Sequence, residues 1–440
     1  MDNTASGGDS CPSSYSNRVS GLAAGPVRAS RFRSIMSCTA VLAGLAAATF
    51  ALPASARCVT PNNVAVKAAF PDYGLWRPVA KAMSECGNVE TSFDFDATTA
   101  FSQSDSGIGK GTQIVGISNG GLSRLMAQDA IRPLDDLVEK YKSRLNERQF
   151  VQAGGKIMAI AVAANAQVYA YHGQLFRRSQ LQPPKSQADL FVLDKKISEQ
   201  QAVDHSFSIA LKPGWTASDL FLEMFISTGK PLFNEENKPV VAGETGEMIL
   251  AQLKKLAELS PPDPFEKENS AVLQDLMRGR AASGILWASS TPSLDKENVS
   301  RVAGRMEFLP VPPMAPGGKP AAAVWWDGFA IAKSASPAEA EAAFKTILEG
   351  LDSEMLESAR FDAIWLMPEY EPVRLTKAVI ETIDAGAVLF PATRQVEILQ
   401  GALGEHIGDY FSGKTEAAAF LAQAEADYLR IARERGLPGL

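Results

Sequence analysis

The chain is poor in histidine: His172, His205 and His406 are its three among 440 residues. None has a second histidine four residues on or a Cys-x-x-Cys nearby, so the spacing of a zinc site is missing. Also missing are the Gly-x-Ser-x-Gly turn of a serine hydrolase and the glycine-rich loop ending in Gly-Lys-Ser/Thr that cradles phosphates. Gly107-Ile108-Gly109-Lys110-Gly111 is rich in glycine but lacks the spacing of a dinucleotide-binding turn, and reads as a loop. No metal and no cofactor is expected. Beyond residue 56 no apolar run approaches the roughly 18 residues that span a bilayer. Positive charge is scarce too: 43 Lys and Arg stand against 50 Asp and Glu, a net charge of −7. That balance argues against nucleic acid and anionic membrane surfaces as partners.

What is present begins with an export signal in an unusual place. Arg28, Arg31 and Arg33 form a positive region, Cys38 to Leu52 is an uncharged apolar stretch, and Ala54-Ser55-Ala56 supplies the small-x-small cleavage pattern. Cleavage is expected after Ala56. The apolar stretch is about 15 residues, short for a hydrocarbon core of about 30 Å, which places a membrane anchor behind export as a reading. Residues 1–26 are rich in Ser and Gly without an apolar period and read as a disordered or untranslated leader, the true start then lying near Val27 or Met36. Arg57 occupies the position before Cys58 where lipid attachment needs a small residue. A soluble periplasmic protein is therefore expected, and the chain from residue 57 onward is long enough for two domains.

Cysteine usage agrees with export. Cys11 and Cys38 leave with the leader, and Cys58 and Cys86 remain as an even pair in an oxidising compartment. Val64–Phe70 reads as a buried strand and Leu75–Glu85 as the helix that returns beside it, which brings both cysteines to one edge. A Cys58–Cys86 disulfide is expected, with two buried thiols as the alternative.

The same alternation continues. Val89–Asp96 and Gln113–Ser118 read as strands, Gly121–Gln128 as a helix, and Lys156–Val162 and Gln167–Tyr171 as two further strands. Strand–helix alternation predicts mostly parallel sheets flanked by helices, with ligands beyond the carboxyl ends of the strands. The loops there hold Asp72 and Tyr73, residues 97–106, and Ser118-Asn119. Further on, Thr216 or Ser218 is the expected N-cap of a helix through Leu220–Ser227. Ser336-Pro337-Ala338-Glu339 has the pattern of a capping box with proline at the first helical position. Thr415 is expected to open the last helix, and the proline-rich Pro310–Pro320 to form a loop or a crossing between lobes.

Of six tryptophans, five sit beside turn or strand-end signals: Trp76, Trp215, Trp287, Trp325 and Trp326. A flat apolar ring with one polar edge suits a solute that is apolar on its faces and polar around its rim, as sugars and planar aromatic cofactors are. Ordinary core packing is the alternative for each. Asp327 follows the Trp pair, and Arg77 and Arg394 are cationic candidates for a carboxylate.

Several segments taken in order carry a resemblance. Gln113-Ile114-Val115-Gly116-Ile117-Ser118-Asn119, Ile131-Arg132-Pro133-Leu134-Asp135-Asp136, Gly155-Lys156-Ile157-Met158-Ala159-Ile160, Val168-Tyr169-Ala170-Tyr171 and Trp326-Asp327-Gly328-Phe329-Ala330-Ile331 together resemble the family 1 extracellular solute-binding proteins of ABC importers, the maltose- and sugar-binding type. The likeness is spread over most of residues 60–430. It implies an α/β fold of two lobes, each a mostly parallel sheet flanked by helices: residues 57–163 with 323–365, and 164–322 with 366–440. Crossings are expected near Ala161–Asn165, Pro310–Ala322 and Trp365–Pro372. Trp287 resembles the stacking tryptophan of sugar binders, and the loop Asp72–Trp76 and Ser118-Asn119 resemble ligand loops. Ala161-Val162-Ala163 departs from the family by replacing the usual proline of the crossover, and Ser118-Asn119 stands where an aromatic or acidic residue is common. The implied function is non-enzymatic: a monomer closing on a carbohydrate or polyol and delivering it to an inner-membrane permease. An aromatic or acidic organic solute such as a quinone-like cofactor on the same fold, and a secreted two-carboxylate hydrolase, are the alternative readings.

Overall fold

The computed structural model of the chain describes residues 58–59, 62–72, 74–94, 111–200, 203–391 and 393–437. The leader, the export signal with its cleavage site, Tyr73, the loop 97–106 and Gly107 to Lys110 lie outside the described residues.

Strand β1 (Asn62–Pro71) alternates as its sequence suggests, with Val66, Ala68 and Phe70 buried and Lys67 exposed. It pairs in parallel with β2 (Gly87–Asp94) and with the almost wholly buried β3 (Ile114–Ser118). Helix α1 (Trp76–Cys86) returns between β1 and β2 and buries Trp76, Val79 and Met83. The strand–helix turn places Cys58 and Cys86 5.4 Å apart at Cα, and they form a disulfide. From β3 the chain turns into α2 (Asn119–Ala127), and α3 (Asp135–Tyr141) follows; further helices are α4 (Gly173–Arg178), α5 (Ala188–Gln200), α8 (Asn269–Met277), α10 (Ser353–Ser358) and α11 (Lys377–Asp384).

The long strand β5 (Lys156–His172) joins two sheets. Its first part pairs antiparallel with β4 (Phe150–Ala153) and with β8 (Val324–Ile331), which is antiparallel to β3 on its other edge. The order in this sheet is β2-β1-β3-β8-β5-β4. Its second part, from Gln167, pairs antiparallel with β6 (Ser283–Trp287) and β7 (Met306–Pro310). The short β9 (Ile364–Trp365) pairs with β5 at Ala163 and Ala164. Pairing is thus parallel only at β1–β2 and β1–β3 among the named strands. Where the sequence suggests two strands, at 156–162 and 167–171, the backbone is one continuous strand. Ala161-Val162-Ala163 keeps every amide that a proline would remove, and the ladder absorbs only an irregularity between Ala161 and Ala163.

Two large cores form, one containing Phe70, Trp76, Phe329 and Phe344, the other Phe221, Phe225, Leu253, Leu403 and Tyr428. The first is covered by α1 and by α9 (Pro337–Glu349), which Ser336 and Glu339 start with the expected capping box. The second surrounds α6 (Trp215–Ser227), buried from Ala217 to Ser227 on every side, and packed on α7 (Glu244–Glu258) and α12 (Arg394–Phe411). A helix apolar nearly all round is a helix enclosed by neighbours. Its N-cap is neither Thr216 nor Ser218 but Gly214, at φ +99°, a backbone that side chains rarely adopt. Ser218 instead donates its hydroxyl to the Gly214 carbonyl at 2.8 Å. The last helix, α13 (Ala417–Glu434), starts after Glu416, one residue beyond the expected Thr415. Pro310–Pro320 leaves β7 as an irregular segment, in line with its proline content.

Candidate functional site

Strand period places successive residues of β8 on opposite faces. Val324 and Trp326 are buried in it, while Trp325 and Asp327 are half-buried. Trp325 borders a cavity of about 730 Å³. One wall is a face of α2: Gly120, Ser123, Arg124, Ala127 and Gln128, at the three- and four-residue spacing of a helix face. The rest of the lining includes Phe390, the N-cap Thr393 and first turns of α12 (Arg394, Glu397, Gln400), and Arg435 past the end of α13. Phe390 lies flat on Trp325, with centroids 4.2 Å apart at 16°.

Trp325 is one corner of an aromatic triangle. Its ring is 6.2 Å from that of Trp215, the first residue of α6, and 6.1 Å from that of Trp287, the last of β6. Trp215 and Trp287 are 6.2 Å apart and near parallel. Trp287 is half-buried and Trp215 is 51% exposed, although a large aromatic ring is ordinarily buried. The Gly214 turn holds Trp215 in place. Its amide donates to the Gly404 carbonyl, and a Cβ on Gly404 would lie 3.0–3.1 Å from the Gly214 backbone, so α12 and the start of α6 touch without side chains between them.

Beneath Trp325 are two acids that sequence reasoning passed over. Asp219 and Glu223 lie one turn apart on α6, both with no exposed surface. Glu223 Oε1 accepts the Trp325 indole N–H at 3.1 Å. Burial pushes Asp219 up to about 8, with the Gln167 side chain acting in the other direction. Burial raises Glu223 as well, and so does the neighbouring Asp219, while the bond from Trp325 partly offsets both. Glu223 inside the apolar run Leu220 to Ile226, with Asp219 directly before it, was a visible signal, since acids are rarely fully buried unless partnered.

The other sequence candidates fall elsewhere. Trp76 has no exposed surface; it stacks on Phe70 at 5.3 Å and meets Phe329 edge-on at 5.1 Å, so it is a core residue. Trp326 is likewise buried. Asn119 is buried and committed internally. Its amide donates to the carbonyls of Phe390 and Val324, and its oxygen accepts the Trp326 amide at 2.7 Å. These bonds tie the start of α2 to β8 and to the segment holding Phe390. Asp72 pairs with Arg77 at the surface, Arg77 also covers the Phe93 ring, and neither lines the cavity beside Trp325. Ser118 and Asp327 are register partners across β3 and β8, both half-buried. The structure therefore gathers Trp215, Trp287, Trp325 and Arg394 and disperses the rest. It adds Phe390, Arg124 and Arg435, whose positions depend on contacts between segments distant in the chain.

Among the described residues, one cluster of metal-ligating residue types and one further buried acid are already committed to partners within the protein. Cys58, Cys86 and Glu349 lie together, but the sulfurs are in the disulfide and Glu349 accepts from Arg144 and the Val59 amide. Asp275 is buried but pairs with Lys267 and Arg280. No helix among the described residues is long and apolar enough to cross a membrane.

The profile of the bacterial extracellular solute-binding proteins matches residues 71–349. No match was found among curated proteins. Solved structures share the fold. An ABC transporter solute-binding protein from Agrobacterium radiobacter K84, in complex with ribitol, superposes with a TM-score of 0.65 at 19% identity, covering 84% of this chain and 100% of its own. A cyclic α-maltosyl-1,6-maltose binding protein from Arthrobacter globiformis gives 0.66 at 16%, with 84% and 100% covered. Maltose-bound MalE3 of T. maritima gives 0.62 at 15%, with 83% and 100% covered.

Proposed function

Because the chain belongs to the bacterial extracellular solute-binding proteins, we propose that it is the exported receptor of an ABC importer and closes on a carbohydrate or polyol in the cavity beside Trp325. The observation that carries this is the aromatic surface of Trp215, Trp287, Trp325 and Phe390, drawn from four separate segments and left partly open to solvent. Indole faces match the C–H faces of a sugar ring or an extended polyol, while Thr393, Gln128 and Gln400 at the rim offer hydrogen bonds to hydroxyls. The structural neighbours include proteins in complex with ribitol and bound to maltose, which is the solute class this surface suits.

The two walls of the cavity come from α2, which follows the first sheet, and from α12, packed in the second core. We take the lobes as residues 57–163 with 323–365 and 164–322 with 366–440, with bending at β5 near Ala161–Asn165, at Pro310–Ala322 and at Trp365–Pro372. A solute touching both walls favours the closed state by its differential contacts, and the closed state is what a permease recognises. The receptor acts as a monomer, is cleaved after Ala56 and makes or breaks no bond in its solute. The acids Asp219 and Glu223 suit that reading better than hydrolysis, because they lie together behind Trp325 and not on either side of the cavity.

The test is thermal unfolding of the purified protein with ribitol, mannitol, maltose, organic acids and quinone-like cofactors. A solute at about 100 times its dissociation constant should stabilise by about 2.7 kcal/mol. A shift with sugars or polyols supports the reading. A shift with quinone-like cofactors alone, or turnover of a glycoside, would overturn it.

A further inference from the structure

The cavity carries more positive charge than a neutral solute needs. Arg124, Arg394 and Arg435 line it against a single acid, Glu397. The chain as a whole is acidic, at −7, so this concentration of arginine runs against composition. Glu397 is engaged with Arg435 at 4.0 Å. Arg394 has no ion pair or side-chain hydrogen bond among the described residues, and it is exposed on the cavity wall.

Its place in the fold makes this more pointed. Arg394 is the first residue of an 18-residue helix, α12, capped by Thr393, whose hydroxyl accepts the Val396 amide at 3.2 Å. A helix start favours anions and disfavours cations. An arginine there adds its charge to the positive end of the helix, and the one acid of that first turn, Glu397, is paired with Arg435 and not with Arg394. The arrangement becomes favourable once an external anion sits between the guanidinium and the helix start. The planar fork of Arg matches a carboxylate through two parallel hydrogen bonds. Trp325 and Phe390, in the same lining, offer the apolar face on which the attached carbon chain would lie.

We propose that the solute is an acidic carbohydrate, a sugar or polyol bearing a carboxylate, and that Arg394 selects it. This rests on the carbohydrate-receptor reading above and adds the charge. The carboxylate reaches Arg394 and the first turn of α12, the hydroxylated chain lies along Trp325, and Arg124 approaches from α2 as the lobes close.

The test is isothermal titration of the protein with matched neutral and acidic pairs: D-glucitol with D-gluconate, D-glucose with D-glucuronate, and maltose with maltobionate. In at least one pair the acid should bind 10-fold or more tighter than its neutral partner. That advantage should shrink as sodium chloride is raised from 50 to 500 mM, since exposed charges are then screened. Arg394→Gln should lower affinity for the acid at least 10-fold more than affinity for its neutral partner, and Arg394→Lys should restore only part of that difference. Unchanged thermal unfolding of both variants shows that folding is intact. Neutral members binding as tightly as acids, or an acid preference that survives Arg394→Gln, overturns the inference and leaves the carbohydrate reading standing. Binding by neither member of any pair removes both.

Discussion

Glu223 Oε1 accepts the indole N–H of Trp325 at 3.1 Å, from a carboxyl with no solvent exposure. The bond ties α6, the enclosed centre of one core, to β8, the strand that pairs with β5. Through it the ring that borders the cavity is oriented by a group solute never reaches. Glu223→Gln keeps an acceptor at that point, whereas Glu223→Leu leaves a buried indole N–H unpaired, which costs about 1–3 kcal/mol. Chemical denaturation with solute titration should separate them: near-normal solute affinity for Gln, and lower stability with weakened binding for Leu. Equal affinity for both would show that the bond does not position the ring.

The pH dependence has a definite sign. Asp219 in the folded protein is pushed up to about 8, above the roughly 3.9 of an unfolded chain. The folded state therefore holds the proton more tightly. The associated stability is fully present below about pH 4 and is lost as pH rises to about 8. Glu223 is displaced in the same direction. Melting temperature followed between pH 5 and 9 should fall toward alkaline pH and fall less in Asp219→Asn. Parallel profiles for the two proteins would remove Asp219 as the cause.

The Cys58–Cys86 bridge closes a segment at a sequence separation of 28 and ties the start of the described chain to the end of α1. By loop entropy it stabilises by about 3–4 kcal/mol. Cys58→Ser together with Cys86→Ser should lose that amount in urea unfolding and leave solute affinity unchanged, because both residues are remote from the cavity lining.

Gly328 lets β8 lie close on β5. A Cβ there would come 2.3 Å from the Ile160 carbonyl oxygen and 2.8 Å from the Ala161 Cα. Gly328→Ala must push the strands apart, at a cost of about 1–3 kcal/mol or more. It should also weaken solute binding, since Trp325 sits three residues along the same strand. A variant as stable as the parent would show that the ladder relaxes freely.

Two tryptophans should respond oppositely. Trp215→Ala removes an exposed ring from the triangle and should weaken solute binding by roughly 10-fold or more, with a small stability change, in line with an aromatic contact of about 0.5–1.5 kcal/mol or above. Trp76→Ala empties a core position and should cost about 3–5 kcal/mol. Calorimetric melting and solute titration of the pair give both numbers; a Trp76 variant that keeps its stability would contradict the core placement.

Much was legible in the sequence because it depends on near neighbours. The alternation around β1 and α1, the capping box at Ser336 and the pairing of Cys58 with Cys86 each need only a few residues or one strand–helix turn. The identity of α6 as an enclosed helix was visible in its apolar run, and its two acids could have been flagged there. Local signals misplaced its cap, because Gly214 is fixed by its contact with Gly404 across the core, not by the hydroxyls of Thr216 and Ser218.

What the sequence determined by itself was the element alternation, the covalent bridge and a set of tryptophans at element ends. Tertiary structure decided which of them share a surface. Trp325 and Trp326 are adjacent in the chain, yet the two-residue period of β8 turns one to the cavity and the other into the core. Trp76 follows a turn as Trp215 does, but α1 carries it onto Phe70 and Phe329 while the Gly214 turn holds Trp215 outward. Arg394 and Arg124 line one cavity only because segments distant in the chain are brought together through the strand β5 that joins the two sheets. Side-chain chemistry is written residue by residue, but the company each side chain keeps is set by long-range packing, which no local pattern encodes.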